Sequence, residues 1–214
     1  MKTNLAGHDL LLLAEKAVWI ENEKTLLIAD VHLGKIEHFR KAGIGIPFQA
    51  TSETQDRLEL LLLKMAPAHV IFLGDLFHSK KNHSFDQFKS LMAVNTKTEF
   101  HLIMGNHDIM PTTSYHDLNI KMHREIIIGN LWLTHEPQDE LREGLYNLAG
   151  HIHPGVKLRG KARQSITLPC FYFGSHRGLL PSFGYFTGKS LIQMEKNSDT
   201  FAIAEDLIFN IKNV

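Results

Sequence analysis

Cysteine is nearly absent. Cys170 is the only one in 214 residues, so no internal disulfide can form and nothing calls for an oxidising compartment. An excess of charge of either sign is missing too. Lys plus Arg and Asp plus Glu both number 23, and the pI is near 7.3. That balance excludes coating nucleic acid by bulk positive charge, so any polyanion must meet a local basic patch. Long apolar runs are also lacking. Leu10–Leu13 is the leucine run near the start, and Ala14-Glu15-Lys16 ends it too early for a signal peptide or a membrane span. A cytoplasmic protein without a membrane partner is therefore expected. No linker, low-complexity tract or internal repeat divides the chain. With 43% hydrophobic and 21% charged residues, it fits one large α/β domain over 1–214.

What the chain has in abundance is histidine, fourteen in all. Histidine serves most often as a proton carrier or a metal ligand, so the positions matter more than the number. Leu10–Leu13, Ala17–Ile20 and Thr25–Ala29 read as strands, the last apolar throughout and so buried on both faces. A basic helical stretch follows Gly34, with Lys35, His38, Arg40 and Lys41, and is broken by Gly43, Gly45 and Pro47. Ser52 and Gln55 form a capping box ahead of a helix to about Lys64. Val70–Leu73 is a strand, Phe85–Val94 an amphipathic helix and Glu99–Met104 a strand. The order β-α-β-α-β puts a polar cluster after each strand, the pattern of a sheet with ligands at the carboxyl ends of its strands. Beyond Pro111 the chain turns β-rich. Arg124–Ile128 with Leu131–Thr134 is expected as a hairpin, and Ser165–Phe173, Phe183–Thr187, Ser190–Glu195 and Thr200–Ala204 as strands of a second sheet.

The strand ends carry the chemistry. Asp30-Val31-His32, Gly74-Asp75, Gly105-Asn106-His107-Asp108, His135 and Gly150-His151-Ile152-His153 occur in that order, each after an apolar run. Residues two apart on an extended chain share a face, so Asp30 and His32 could grip one ion. Singly, an Asp after a strand is more often a helix cap, and an Asn more often turns the chain. Jointly, the mixed nitrogen and oxygen donors suit divalent transition ions better than Mg²⁺ or Ca²⁺, and Asp75 is the best candidate for a bridging carboxylate. His8, His69, His83, His101, His116 and His123 read as surface or loop residues, His38, His78 and His176 lie near motifs, and Cys170 reads as a buried small residue.

This ordered set resembles the calcineurin-like metallophosphoesterase superfamily at every motif of its metal centre. The resemblance implies a four-layer α-β-β-α sandwich of two mixed sheets. It implies a first metal on Asp30, His32, Asp75 and His153 and a second on Asp75, Asn106, His135 and His151. The cofactors would be two divalent ions, Mn²⁺ first, with Fe, Zn or Ni as alternatives, and a hydroxide bridging them would attack phosphorus. His107 would protonate the leaving oxygen while Asp108 holds its imidazole. Ala29–Lys35, Phe39-Arg40, Leu168–Phe171 and Leu180–Gly184 further resemble the ligase-associated DNA-damage-response phosphoesterases. That narrower resemblance implies a phosphodiesterase or endonuclease in DNA repair, acting on DNA or a nucleotide-like diester and associated with a DNA ligase, a helicase and an exonuclease. Substrate contacts are expected from Lys35, from Arg159 and Arg163 in an alternating rail with Lys157 and Lys161, and from Arg177. The alternatives are a phosphomonoesterase or nucleotide pyrophosphatase, and a scaffold that has lost catalysis.

Overall fold

The computed structural model describes residues 1–41, 43, 53–78, 81–160 and 164–211. Its first sheet has seven strands in chain order: β1 (Lys2–Leu5), β2 (His8–Leu13), β3 (Ala17–Ile20), β4 (Thr25–Ile28), β5 (His69–Phe72), β6 (Glu99–Ile103) and β7 (Ile120–His123). Neighbours are antiparallel from β1 to β4 and parallel from β4 to β7. Parallel neighbours need crossovers, and these carry the helices. Helices α1 (Lys35–Lys41) and α2 (Glu53–Met65) lie between β4 and β5, α3 (His83–Val94) between β5 and β6, and α4 (Thr112–His116) between β6 and β7.

The second sheet takes β8 (Ile126–Ile128), β9 (Leu131–Thr134), β10 (Tyr146–Ala149), β11 (Pro154–Arg159), β12 (Ser165–Phe173), β13 (Arg177–Leu179), β14 (Ser190–Leu191), β15 (Asp199–Ala204) and β16 (Leu207–Ile211). It is mixed: β10 runs parallel to both β9 and β13, while β12 is antiparallel to β11, β13 and β15.

The continuous apolar runs are explained by two cores. Leu26 and Ile28, Val70 and Phe72, and Phe100 and Leu102 pack against Leu58, Leu61 and Leu62 of α2 and Phe85, Phe88 and Leu91 of α3. The alternate residues Leu27, Ile71 and Ile103 face Leu131, Leu133, Leu148, Phe171 and Phe201 of the second sheet. The α/β class and the pair of mixed sheets are those expected. The sandwich of the two sheets is as expected too, and the helices α2 and α3 pack against the first of them. All four helices lie between residues 35 and 116, and every element after α4 is a strand among the described residues. Two strand expectations change. Ser190–Glu195 pairs only over β14. Phe183–Thr187 is not a strand, because Phe183 and Gly184 donate their N–H groups to Ala29 and Asp30 rather than to a ladder. Ser52 of the capping box lies outside the described residues, and α2 is described from Glu53.

Candidate metal centre

Every chemistry-bearing segment leaves a strand at one end of the sandwich. β4 leads into Asp30, β5 into Gly74 and Asp75, β6 into Gly105–Asp108, β9 into His135, and β10 into Gly150–His153. Backbone bonds tie these ends to one another: Asp30 N–H to Gly74 O at 3.3 Å, His32 N–H to Asp75 O at 2.8 Å, and Gly150 N–H to His135 O at 3.0 Å. The segment Leu180–Gly184 braces them from the second sheet. Ser182 Oγ donates to Asp30 O at 2.8 Å and Gly184 N–H to the same oxygen at 3.0 Å. Arg57 in turn donates to Phe183 O and lies over its ring. Ser182 lies in the Leu180–Gly184 motif, but only the fold shows that it holds Asp30, and Arg57 lies in no motif.

Asp30 and His32 do converge, but not by strand alternation. Asp30, His32, Asp75, His151 and His153 have φ of 53, 50, 52, 65 and 52°, all left-handed. A non-glycine residue there costs about 1–2 kcal/mol, and such strain persists only where the surroundings over-determine it. Two glycines make room. A Cβ on Gly74 (φ +82°) would collide with the His135 ring, and one on Gly150 would lie 2.7 Å from Asp30 Oδ2.

The donor atoms form two groups, Asp30 with His32 and His153, and Asp75 with His135 and His151, each with its atoms within 4.8 Å of one another. In the first group His153 Nε2 is 3.5 Å from Asp30 Oδ1 and 3.4 Å from His32 Nε2. Asp75 Oδ2 lies 3.7 Å from His32 Nε2, and Asp75 Oδ1 lies 3.5 Å from His135 Nε2, so this one carboxylate faces both groups. Asn106 Oδ1 completes the second group at 3.1 Å from His135 Nε2. Leu73 O can only accept, so His135 Nδ1, 2.9 Å away, carries the ring proton, and a neutral ring points its Nε2 lone pair into the group. Burial, reinforced by Lys35 and neighbouring histidines, drives the His32 pKa far below its ordinary value, so this ring is neutral. Asp30 is fully buried and its Oδ1 has no hydrogen-bond partner. A pair of cations fits this crowd of buried acceptors, which otherwise face one another.

His107 stands beside both groups. Its N–H donates to Asp75 Oδ1 at 2.9 Å. Its ring stacks on His78 at 5.1 Å and meets His32 edge-on at 5.3 Å. Asp108 does not hold that imidazole, which corrects the expected role. Its Oδ2 accepts the N–H groups of Asp75 (2.8 Å) and Gly105 (3.0 Å), and its Oδ1 those of Leu76 (3.1 Å) and Phe77 (3.4 Å). Asp108 is thus a buried clamp joining the β5 and β6 ends. Burial pushes its carboxyl up to about 6 against the pull of these bonds.

The expected substrate contacts separate. Lys35 is half-buried, with Asp75 and Asp30 acting on its charge. Lys157 and Arg159 are exposed on the same face of β11, which leads away from His153; Lys161 and Arg163 lie outside the described residues. Arg177 is set aside: it pairs with Asn147 at the start of β10, remote from the strand end bearing His151, and its guanidinium is bound to Asp139 at 2.8 Å. Two lysines missed in the sequence, Lys16 and Lys189, line a cleft beside His153 with Ser182 and Tyr185. Neither lies within a motif, so only the fold reveals them.

A sheet pair with these donor sets at its strand ends defines a metal-dependent phosphoesterase. The chain belongs to the calcineurin-like phosphoesterase family, whose model matches residues 23–193. Among solved structures it is similar to the Pseudomonas putida nuclease MPE, at 29% identity and a TM-score of 0.84 over 99% of each chain. It is also similar to YfcE, a phosphoesterase from E. coli, at 14% identity and a TM-score of 0.45 over 87% of this chain and 97% of that one. No curated protein sequence matches it.

Proposed function

We propose that the chain is a phosphodiesterase working with two divalent ions, manganese first, and that its substrate is DNA. The observation that carries this reading is Asp75, whose two oxygens face two separate His-containing donor groups. When bound, such an ion pair acidifies water and neutralises phosphoryl oxygens. Asp30, His32, Asp75 and His153 would hold one ion, and Asp75, Asn106, His135 and His151 the other. His107, held by its own N–H on Asp75, is positioned to give a proton to the leaving oxygen. Asp108 keeps the two loops in register.

Support for DNA comes from two sources. The 29% identical relative, aligned along its whole length, is a nuclease. The second is local charge: Lys35, whose ammonium interacts with Asp75 and Asp30, and Lys16 with Lys189 in the cleft beside His153 offer cationic groups near the donors in a neutral chain. The experiment is hydrolysis of bis(p-nitrophenyl) phosphate, p-nitrophenyl phosphate, and single-stranded and duplex DNA with added Mn²⁺. Turnover of the diester and of DNA is expected. Turnover of the monoester alone contradicts the reading, and no turnover with metal bound leaves a scaffold.

A further inference from the structure

A second set of donors lies at the other end of the first sheet. The parallel register sets His69 beside Glu99 and His101 beside Lys121, on the face that carries Ile71 and Ile103. His69 Nδ1 is 3.6 Å and His101 Nε2 3.7 Å from the same Glu99 oxygen, Oε2, and all three donor atoms lie within 4.8 Å of one another.

We propose that His69, Glu99 and His101 bind one divalent transition ion of the zinc type, separate from the strand-end pair. A tetrahedral zinc with ligands at ~2.0–2.1 Å sets its donors roughly 3.3–3.4 Å apart. The two His–Glu separations need only a few tenths of an ångström of closure to reach that. Two imidazoles and one carboxylate leave a fourth position for water, and this donor set selects zinc-like ions over magnesium or calcium.

His123 supplies a supporting contact. Its Nε2 is 3.1 Å from His101 Nδ1, so a proton on Nδ1 is held there and the His101 Nε2 lone pair is turned toward Glu99. Lys121 is the competitor: its ammonium lies 2.8 Å from Glu99 Oε2 and must give way to the ion. That side chain is 57% exposed and swings into water at small cost. His69 and Glu99 open β5 and β6, whose opposite ends lead to Asp75 and Asn106, so this ion takes no part in hydrolysis and instead clips β5 to β6.

The test counts zinc on the full chain. After equilibration with Zn²⁺ and gel filtration, elemental analysis is expected to find one ion more per chain on wild type than on His69→Gln or Glu99→Gln. Because it is a difference, this result stands whatever the strand-end centre holds. Equal zinc on all three proteins overturns the proposal. Matching metal-free melting points show that the variants fold, and Glu99→Gln, on an exposed side chain, serves if His69→Gln does not. Lys121→Ala is expected to tighten this zinc by up to about fivefold, the worth of the exposed Lys121–Glu99 ion pair that the ion otherwise has to break. Unchanged or weaker zinc binding in that variant also overturns the proposal, because a plain surface ion pair offers no competition to relieve.

Discussion

Replacing Asp108 with alanine separates two roles for this carboxylate. If it clamps the loops, Asp108→Ala strands the N–H groups of Asp75, Leu76, Phe77 and Gly105. A buried donor left without an acceptor costs about 1–3 kcal/mol, so the gross loss is roughly 4–12 kcal/mol. Two effects offset it. Water entering the vacated volume recovers part of the loss. The burial that pushes this carboxyl up to about 6 is also relieved, which is worth roughly 3 kcal/mol at neutral pH. A net loss of about 3–5 kcal/mol corresponds to a fall in Tm of about 6–20 °C for a domain of this size. Thermal melting with and without Mn²⁺, together with metal analysis, measures it. Asp75 and Asn106 sit on the clamped loops, so bound metal should fall as well. A variant that melts within about 2 °C of wild type, keeps its metal and loses only turnover would refute the clamp and return Asp108 to orienting His107.

His107→Ala makes the complementary case: diester turnover should fall about 10²–10⁴-fold with metal content unchanged, and loss of metal would contradict its role as proton donor. Gly74→Ala drives a methyl group into the His135 ring at a left-handed position and should lower both metal content and Tm, which the same analyses read. Burial, with Arg57 and Lys189 as like-charged neighbours, pushes the Lys16 ammonium down to about 8. A depressed base weakens the fold while charged, and the penalty fades as pH rises from about 8 toward the unfolded value. Wild type should therefore gain stability relative to Lys16→Gln between about pH 7.5 and 9.5 in chemical denaturation, and a constant difference contradicts this. Cys170 is buried and its thiol is pushed up to about 12, so it should resist thiol reagents at pH 8 until denaturant is added.

The parallel half of the fold was legible because its strands are buried on both faces. Leu26-Leu27-Ile28 and Val70-Ile71-Phe72 send alternate side chains into two cores, and that produces unbroken apolar runs. β7 went unread because Ile120-Lys121-Met122-His123 is half polar, an edge strand with one face toward water. The residue types at the strand ends pointed to the donor groups, but the backbone that brings them together did not. Left-handed φ at an Asp or His leaves no trace in side-chain type. The resemblance gives Asp108 to the His107 imidazole, whereas its carboxylate accepts the N–H groups of Asp75, Leu76 and Phe77, more than thirty residues away, and of Gly105. The histidines at 69, 101 and 123 looked scattered because parallel pairing, not sequence spacing, aligns them.

Crystals grown with Mn²⁺ show through the anomalous signal at the manganese absorption edge whether two ions share Asp75. Two peaks are expected about 3.5–4 Å apart on either side of that carboxylate, one against Asp30, His32 and His153, the other against Asn106, His135 and His151. A single peak, or two that do not share Asp75, would contradict this two-ion centre.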